Sequence, residues 1–271
     1  KFHNIKLYKN DVQKWPSMNF ATAFKHATGD VIAPCDQDDI WLPHKIEKLL
    51  DILGDKNVAY SNDFVWLSNG NRHVSKYGPY YNPWQFVYNF IPGHTMVFRK
   101  EMVMDIFDAV ESGLSFDYSI ALLGILHNSI IRCNEELQIW RRHDQAVTKG
   151  VDCGNLPLRG AMKKYQKFLQ ICCIFKLLIR AEKSIAIQRR FNGLSKVMLN
   201  TKYTDTDLLR YCKLMSKQSL FSMIVVGVIS MKHSNDIFCK YDKILDKVKS
   251  KLYAFRFPLI FWYTHRNEIF I

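Results

Sequence analysis

Over the first 66 residues the hydrophobic pattern switches repeatedly between the period of a strand and that of a helix. Residues 4–8, NIKLY, read as a short strand. Phe20, Ala23, Phe24 and Ala27 then recur at helical spacing, with Ser17 placed to cap the helix and Gly29 to end it. Val31–Ala33 is apolar on both faces, as a strand buried in a parallel sheet is, and Pro34 falls at its end. Pro43 opens a second helix with Ile46, Leu49, Leu50 and Leu53 on one face, closed by Gly54, and Val58–Trp66 reads as a further strand. Strand–helix alternation of this kind predicts an α/β domain with a mostly parallel sheet and right-handed crossovers. Ligands of such sheets bind beyond the carboxyl ends of the strands.

Downstream the pattern loosens and then becomes helical. Residues 67–92 are rich in Gly, Asn, Pro and aromatic residues and read as a long loop or lid. Thr95–Phe98 predicts a strand, Lys100–Val110 and Ser115–His127 predict helices, and Ser129–Arg132 and Leu137–Trp140 predict short strands. From about residue 155 the chain is helical in pattern. The division expected is a catalytic domain over 1–150 and a basic helical region over 151–271. In residues 236–252, Tyr241, Ile244, Leu245, Val248 and Leu252 share one helical face, and Lys240, Lys243, Lys247 and Lys251 share another. Such a helix fits a membrane surface or the outside of a small bundle, and the aromatic tail Phe255–Tyr263 favours the membrane.

Charge sharpens this division. The net charge of +13 arises entirely in the second part, since residues 151–271 carry 22 Lys and Arg against 8 Asp and Glu. That asymmetry points to an anionic surface. No nucleic-acid-binding motif accompanies it, so anionic lipid is the expected partner and nucleic acid is not. The longest uncharged apolar run, Leu220–Met231, has 12 residues, short of the roughly 20 that a spanning helix needs. Seven cysteines without a CxxC pair read as reduced thiols of a cytosolic protein, for which contact with anionic lipid would be peripheral and on the cytoplasmic face.

The chemistry is concentrated at Asp36-Gln37-Asp38-Asp39, at the end of the Val31–Ala33 strand. Three carboxylates within four residues repel one another, and a divalent cation relieves the repulsion. Mg²⁺ characteristically uses one or two carboxylates together with substrate phosphates.

In order along the chain stand Asn19-Phe20, Gly29-Asp30, DQDDIWLPHKI, Gly93-His94-Thr95-Met96-Val97-Phe98, Phe116-Asp117-Tyr118 and Trp140-Arg141-Arg142-His143. Together they resemble family-2 glycosyltransferases of the GT-A fold, in particular the bacterial rhamnosyltransferase-like branch, over about residues 4–147. The resemblance implies inverting transfer of a sugar from a nucleotide-diphosphate donor to a polysaccharide or lipid-linked acceptor, with Mg²⁺ or Mn²⁺. It places Asp36 and Asp38 on a DXD element, with His143 completing the metal shell and Asp117 as general base. Arg141, Arg142 and Asp39 fall toward the donor diphosphate, and Gly93, His94 and Thr95 toward the acceptor. The opening base-binding strands of that family are not found here, so an N-terminally truncated catalytic domain is expected, binding its donor weakly. A non-catalytic remnant that binds a membrane or a partner is the alternative expectation.

Overall fold

The computed structural model describes residues 4–67, 72–142, 183–238 and 244–265. Its centre is a six-stranded sheet. The strands are β1 (Val31–Ile32), β2 (Ile40–Trp41), β3 (Val58–Leu67), β4 (Arg72–Ser75), β5 (Met96–Arg99) and β6 (Ile130–Arg142). The order is β1-β5-β3-β6-β2, with β4 paired to β3. Strands β3 and β6 pair in parallel, whereas β1–β5, β5–β3, β6–β2 and β3–β4 are antiparallel. The α/β class holds, and the sheet is mixed rather than mostly parallel. The reason lies in β5: strands β1, β3 and β6 run the same way, as crossover connections demand, but β5 returns between β1 and β3 in the opposite sense.

Alternation along the strands divides the core in two. Val58, Tyr60, Met96 and Phe98 face one layer, while Ala59 and Val97 between them face the other. The smaller layer is closed by helix α2 (Lys45–Leu53), through Leu49 and Leu53 against Cys133 and Leu137. On the larger side lie α1 (Pro16–His26), α4 (Val103–Glu111) and α5 (Phe116–Leu126). Gly124 of α5 leaves room there, since a Cβ would come within 2.9 Å of Val58.

The C-terminal helices are α6 (Ile185–Asn200), α7 (Thr206–Lys217), α8 (Leu220–Lys232), α9 (Ser234–Ile237) and α10 (Ile244–His265). They share the larger core: Phe191, Tyr211, Phe257, Phe261 and Trp262 are buried together with residues of α1, α4 and α5. Phe257, Phe261 and Trp262 of the aromatic tail therefore pack inward, with Phe257 and Phe261 edge-on to Tyr88. Leu252, of the apolar face read from the sequence, is 59% exposed. The side chains of Lys240, Tyr241, Lys243, Ile244, Leu245, Lys247 and Val248 lie outside the described residues. No described helix is long and apolar enough to cross a membrane.

Other local expectations are corrected. Residues 4–8 form no strand: Leu7 is 94% exposed, and no strand of the described sheet runs beside them to supply hydrogen bonds. The N-cap of α1 is Trp15, and Ser17 lies inside the helix, buried. Residues 130–142 are one long strand, irregular in register opposite β3 between Tyr60 and Phe64, where two shorter strands were expected. The segment read as a lid contains β4 and a short helix α3 (Pro83–Phe86). It is packed, with Tyr77, Trp84, Phe86, Val87 and Ile91 in the core.

Candidate active site

Three chain segments meet beyond the end of β1. The first is the acidic loop after Pro34. The second is the turn Pro92–Thr95, which Thr95 closes on itself by donating from both its amide and its hydroxyl to the Pro92 carbonyl. The third is the start of α5. Gly93 permits the approach of the last two, because a Cβ there would lie 2.4 Å from the Phe116 ring and 3.4 Å from the Asp117 Cβ.

His94, in that turn, is the centre of the cluster and is almost fully buried. Its Nδ1 lies 3.2 Å from Asp36 Oδ2 and 3.1 Å from Asp39 Oδ2. On the other edge of the ring, Nε2 lies 3.1 Å from Asp63 Oδ2, a fully buried carboxylate of β3. Burial alone pushes an imidazole toward its neutral form, but hydrogen bonds to Asp36 and Asp63 and the charge of Asp39 outweigh it, raising His94 to about 9. Asp39 is likewise raised, from the ordinary carboxylate range to about 6, mainly by burial. Its Oδ1 accepts from the Arg141 amide at 3.2 Å, and its buried Oδ2 has the His94 ring beside it but no aligned hydrogen bond. The ligand atoms of Asp36, Asp39 and His94 all lie within 4.8 Å of one another.

Lys45 sits beneath this group with no exposed surface. Its ammonium donates to the His94 carbonyl at 2.5 Å and to Gln138 Oε1, and lies 3.9 Å above the Trp41 ring. Desolvation lowers it to about 7, against the opposing charges of Cys35, Asp39, Asp63 and Asp36. A lysine on the buried face of α2, one turn before Leu49, is a sequence signal of this site. Asp63 in the middle of an apolar strand is another.

Asp117 occupies the first turn of α5. Its Oδ1 accepts from the Tyr118 amide at 2.7 Å and from the Ser115 hydroxyl. Burial raises its pKa, and the Asp36 charge adds to that while His94 opposes it, which places all three in one electrostatic neighbourhood. Arg141 is exposed at the end of β6, and its Nε donates to the Asp38 carbonyl, pinning the acidic loop. Asp38 is partly buried beside it. Thr95 is buried. The Arg142 side chain and His143 lie outside the described residues.

Residues 1–107 match the family described as Glycosyl transferase family 2. Over 73 residues the chain is 33% identical to the UDP-Glc:alpha-D-GlcNAc-diphosphoundecaprenol beta-1,3-glucosyltransferase WfgD of Escherichia coli. That stretch is 27% of this chain, and the chain spans about 29% of the length of that relative.

Proposed function

We propose that the chain belongs to a glycosyltransferase moving a sugar from a nucleotide-diphosphate donor to a lipid-linked glycan or polysaccharide, with inversion and with a divalent cation. The observation that carries the proposal is the convergence of Asp36, Asp39 and His94 beside Asp117 at one end of the sheet. The family match and the name of the relative support glycosyl transfer and a lipid-linked acceptor.

The residues fit a hard cation. Asp39 Oδ2 is buried against the His94 ring without an aligned hydrogen bond, and once Nδ1 has lost its proton a cation there would compensate it. Asp36, Asp39 and His94 would hold the ion; the sequence-based set Asp36, Asp38 and His143 shares Asp36 with it. Mg²⁺ or Mn²⁺ bound there supplies positive charge against the departing diphosphate. Asp117 takes the proton of the acceptor hydroxyl. That oxygen forms its bond to the sugar's anomeric carbon from the face opposite the diphosphate, which leaves with the electron pair of the broken C–O bond. A carboxylate with a raised pKa is a stronger base for this task. Arg141 and Arg142 add cationic partners for the diphosphate. Gly93 and Thr95 belong to the turn assigned to the acceptor side, while His94 of the same turn is directed at the ion. The basic second part favours peripheral contact with anionic lipid.

The test is transfer by the whole protein across a panel of nucleotide-diphosphate hexoses and deoxyhexoses, with Mg²⁺, Mn²⁺ or chelator. Asp117→Asn should cost about 10²–10⁴-fold in kcat with donor binding retained. Full activity in that variant would remove the general-base role, and full activity in chelator would remove the metal.

A further inference from the structure

The contacts of His94 on its far side extend beyond the group just described. Asp63 Oδ2 meets His94 Nε2 at 3.1 Å, and the Tyr77 hydroxyl donates to both Asp63 oxygens at 3.0 and 3.1 Å. All three side chains are buried. Tyr77 begins the packed segment that leads to α3, and Arg132 fastens the next residue by donating to the Gly78 carbonyl and to Asn62 Oδ1. A continuous chain of contacts thus runs Tyr77–Asp63–His94–Asp36, from the segment around residue 77 to the acidic loop.

An imidazole has two nitrogens, and the partner of one fixes what the other can do. With Nε2–H directed at Asp63, Nδ1 is the atom that faces Asp36 and Asp39. A carboxylate on the far nitrogen is the usual support of a metal-binding histidine, setting its tautomer and raising its basicity. We propose that Asp63 is a positioning residue that, braced by Tyr77, holds His94 so that Nδ1 points at the Asp36–Asp39 pair. The inference rests on the metal reading above for its consequence, but not for the ring orientation itself. Asp63 touches neither sugar nor diphosphate in this role.

The experiment uses the full chain labelled with ¹⁵N-histidine, its His94 signals assigned by comparison with His94→Gln, and Mn²⁺ alone as the probe. In the metal-free wild type the His94 Nε2–H proton should be protected from exchange. Asp63→Asn should lose that protection and weaken Mn²⁺ binding about 10–100-fold. Tyr77→Phe should move both readouts in the same direction by less, and it carries the test if Asp63→Asn does not fold. Unchanged His94 signals in the variants overturn the proposal, as does wild-type Mn²⁺ affinity in Asp63→Asn. Should the wild type bind no Mn²⁺ while Asp63→Asn still releases the His94 proton, the metal reading falls and the positioning role stands.

Discussion

The Lys45 ammonium donates to the carbonyl oxygen of His94 over 2.5 Å, joining helix α2 to the turn that presents the imidazole. Its second acceptor, Gln138 Oε1, ties the same point to β6. Lys45 therefore holds three elements of the site in place from inside. Replacing it with methionine keeps the volume but leaves two buried oxygens without donors and three carboxylates with less compensating charge. Lys45→Met should lose roughly 2–5 kcal/mol of stability. Urea unfolding of the metal-free chain measures it, and a loss below about 0.5 kcal/mol would show that water or another donor replaces the ammonium.

Gly93 is required by contact rather than by backbone conformation. A methyl group there clashes with the Phe116 ring, which is stacked on Phe20 at 4.2 Å, so the ring yields only by leaving that stack. Gly93→Ala should cost about 1–3 kcal/mol and move α5, with Asp117, away from His94. Thermal unfolding reads the first effect. The second is read as a fall in kcat of the whole enzyme larger than the stability loss explains. An alanine variant as stable as wild type would mean that the turn and α5 separate without cost.

Much of this arrangement is readable from the residues, and the unread parts share a cause. The helices starting near Pro16, Pro43 and Ser115 follow from local periodicity and breakers, as do β1, β3 and β5. Asp36 and Asp117 stand in local motifs that mark them as candidates. What escapes is long-range. The reversal of β5 depends on which edge accepts it, and the register of β6 on its pairing with β3. His94 and Asp63 are 31 residues apart, and Lys45 and Gln138 are 93 apart. No window of sequence joins them. Each was visible only as an oddity, a charged or polar side chain on an apolar face.

The helical region grips the segment that borders the site. The Arg190 guanidinium donates to the Val87 carbonyl at 2.9 Å and lies 4.4 Å over the Tyr118 ring, directly after Asp117. Trp84 donates to Asp205 Oδ2 at 2.7 Å and stacks on His233. Arg190→Met keeps the stem that packs on the aromatics and removes the donor and the cation. We expect a loss of about 1–3 kcal/mol. Hydrogen exchange should rise in residues 83–90 and at the start of α5 together. A rise confined to α6 would mean that the helices stand apart from the site.

His94 gives the cluster a pH dependence whose sign follows from its partners. Its ordinary value of 6.5 is raised to about 9 in the fold, so the folded protein holds this proton more tightly than the unfolded chain. The contribution to stability is complete below pH 6.5, declines as the unfolded chain deprotonates first, and is lost as pH rises through about 9. At roughly 1.4 kcal/mol per pH unit the full effect is on the order of 3 kcal/mol. Lys45, lowered to about 7, works oppositely, adding stability between about 7 and 10.5. Asp39, raised to about 6, loses its contribution as pH rises through about 6, at the acid edge of this window. The difference between wild type and His94→Gln cancels Lys45 to first order, while Asp39, which the His94 charge lowers, rises further in the variant and bears on the acid end of the comparison. Measured by urea unfolding in chelator from about pH 6 to about pH 10, that difference should shrink steadily. A flat difference would mean that the folded imidazole is neutral. Because a metal ligand must shed its proton, Mn²⁺ should then bind the wild type more tightly as pH rises, releasing close to one proton below pH 9. Calorimetry in buffers of different ionisation enthalpy counts that proton directly, and its absence at neutral pH would separate His94 from the ion.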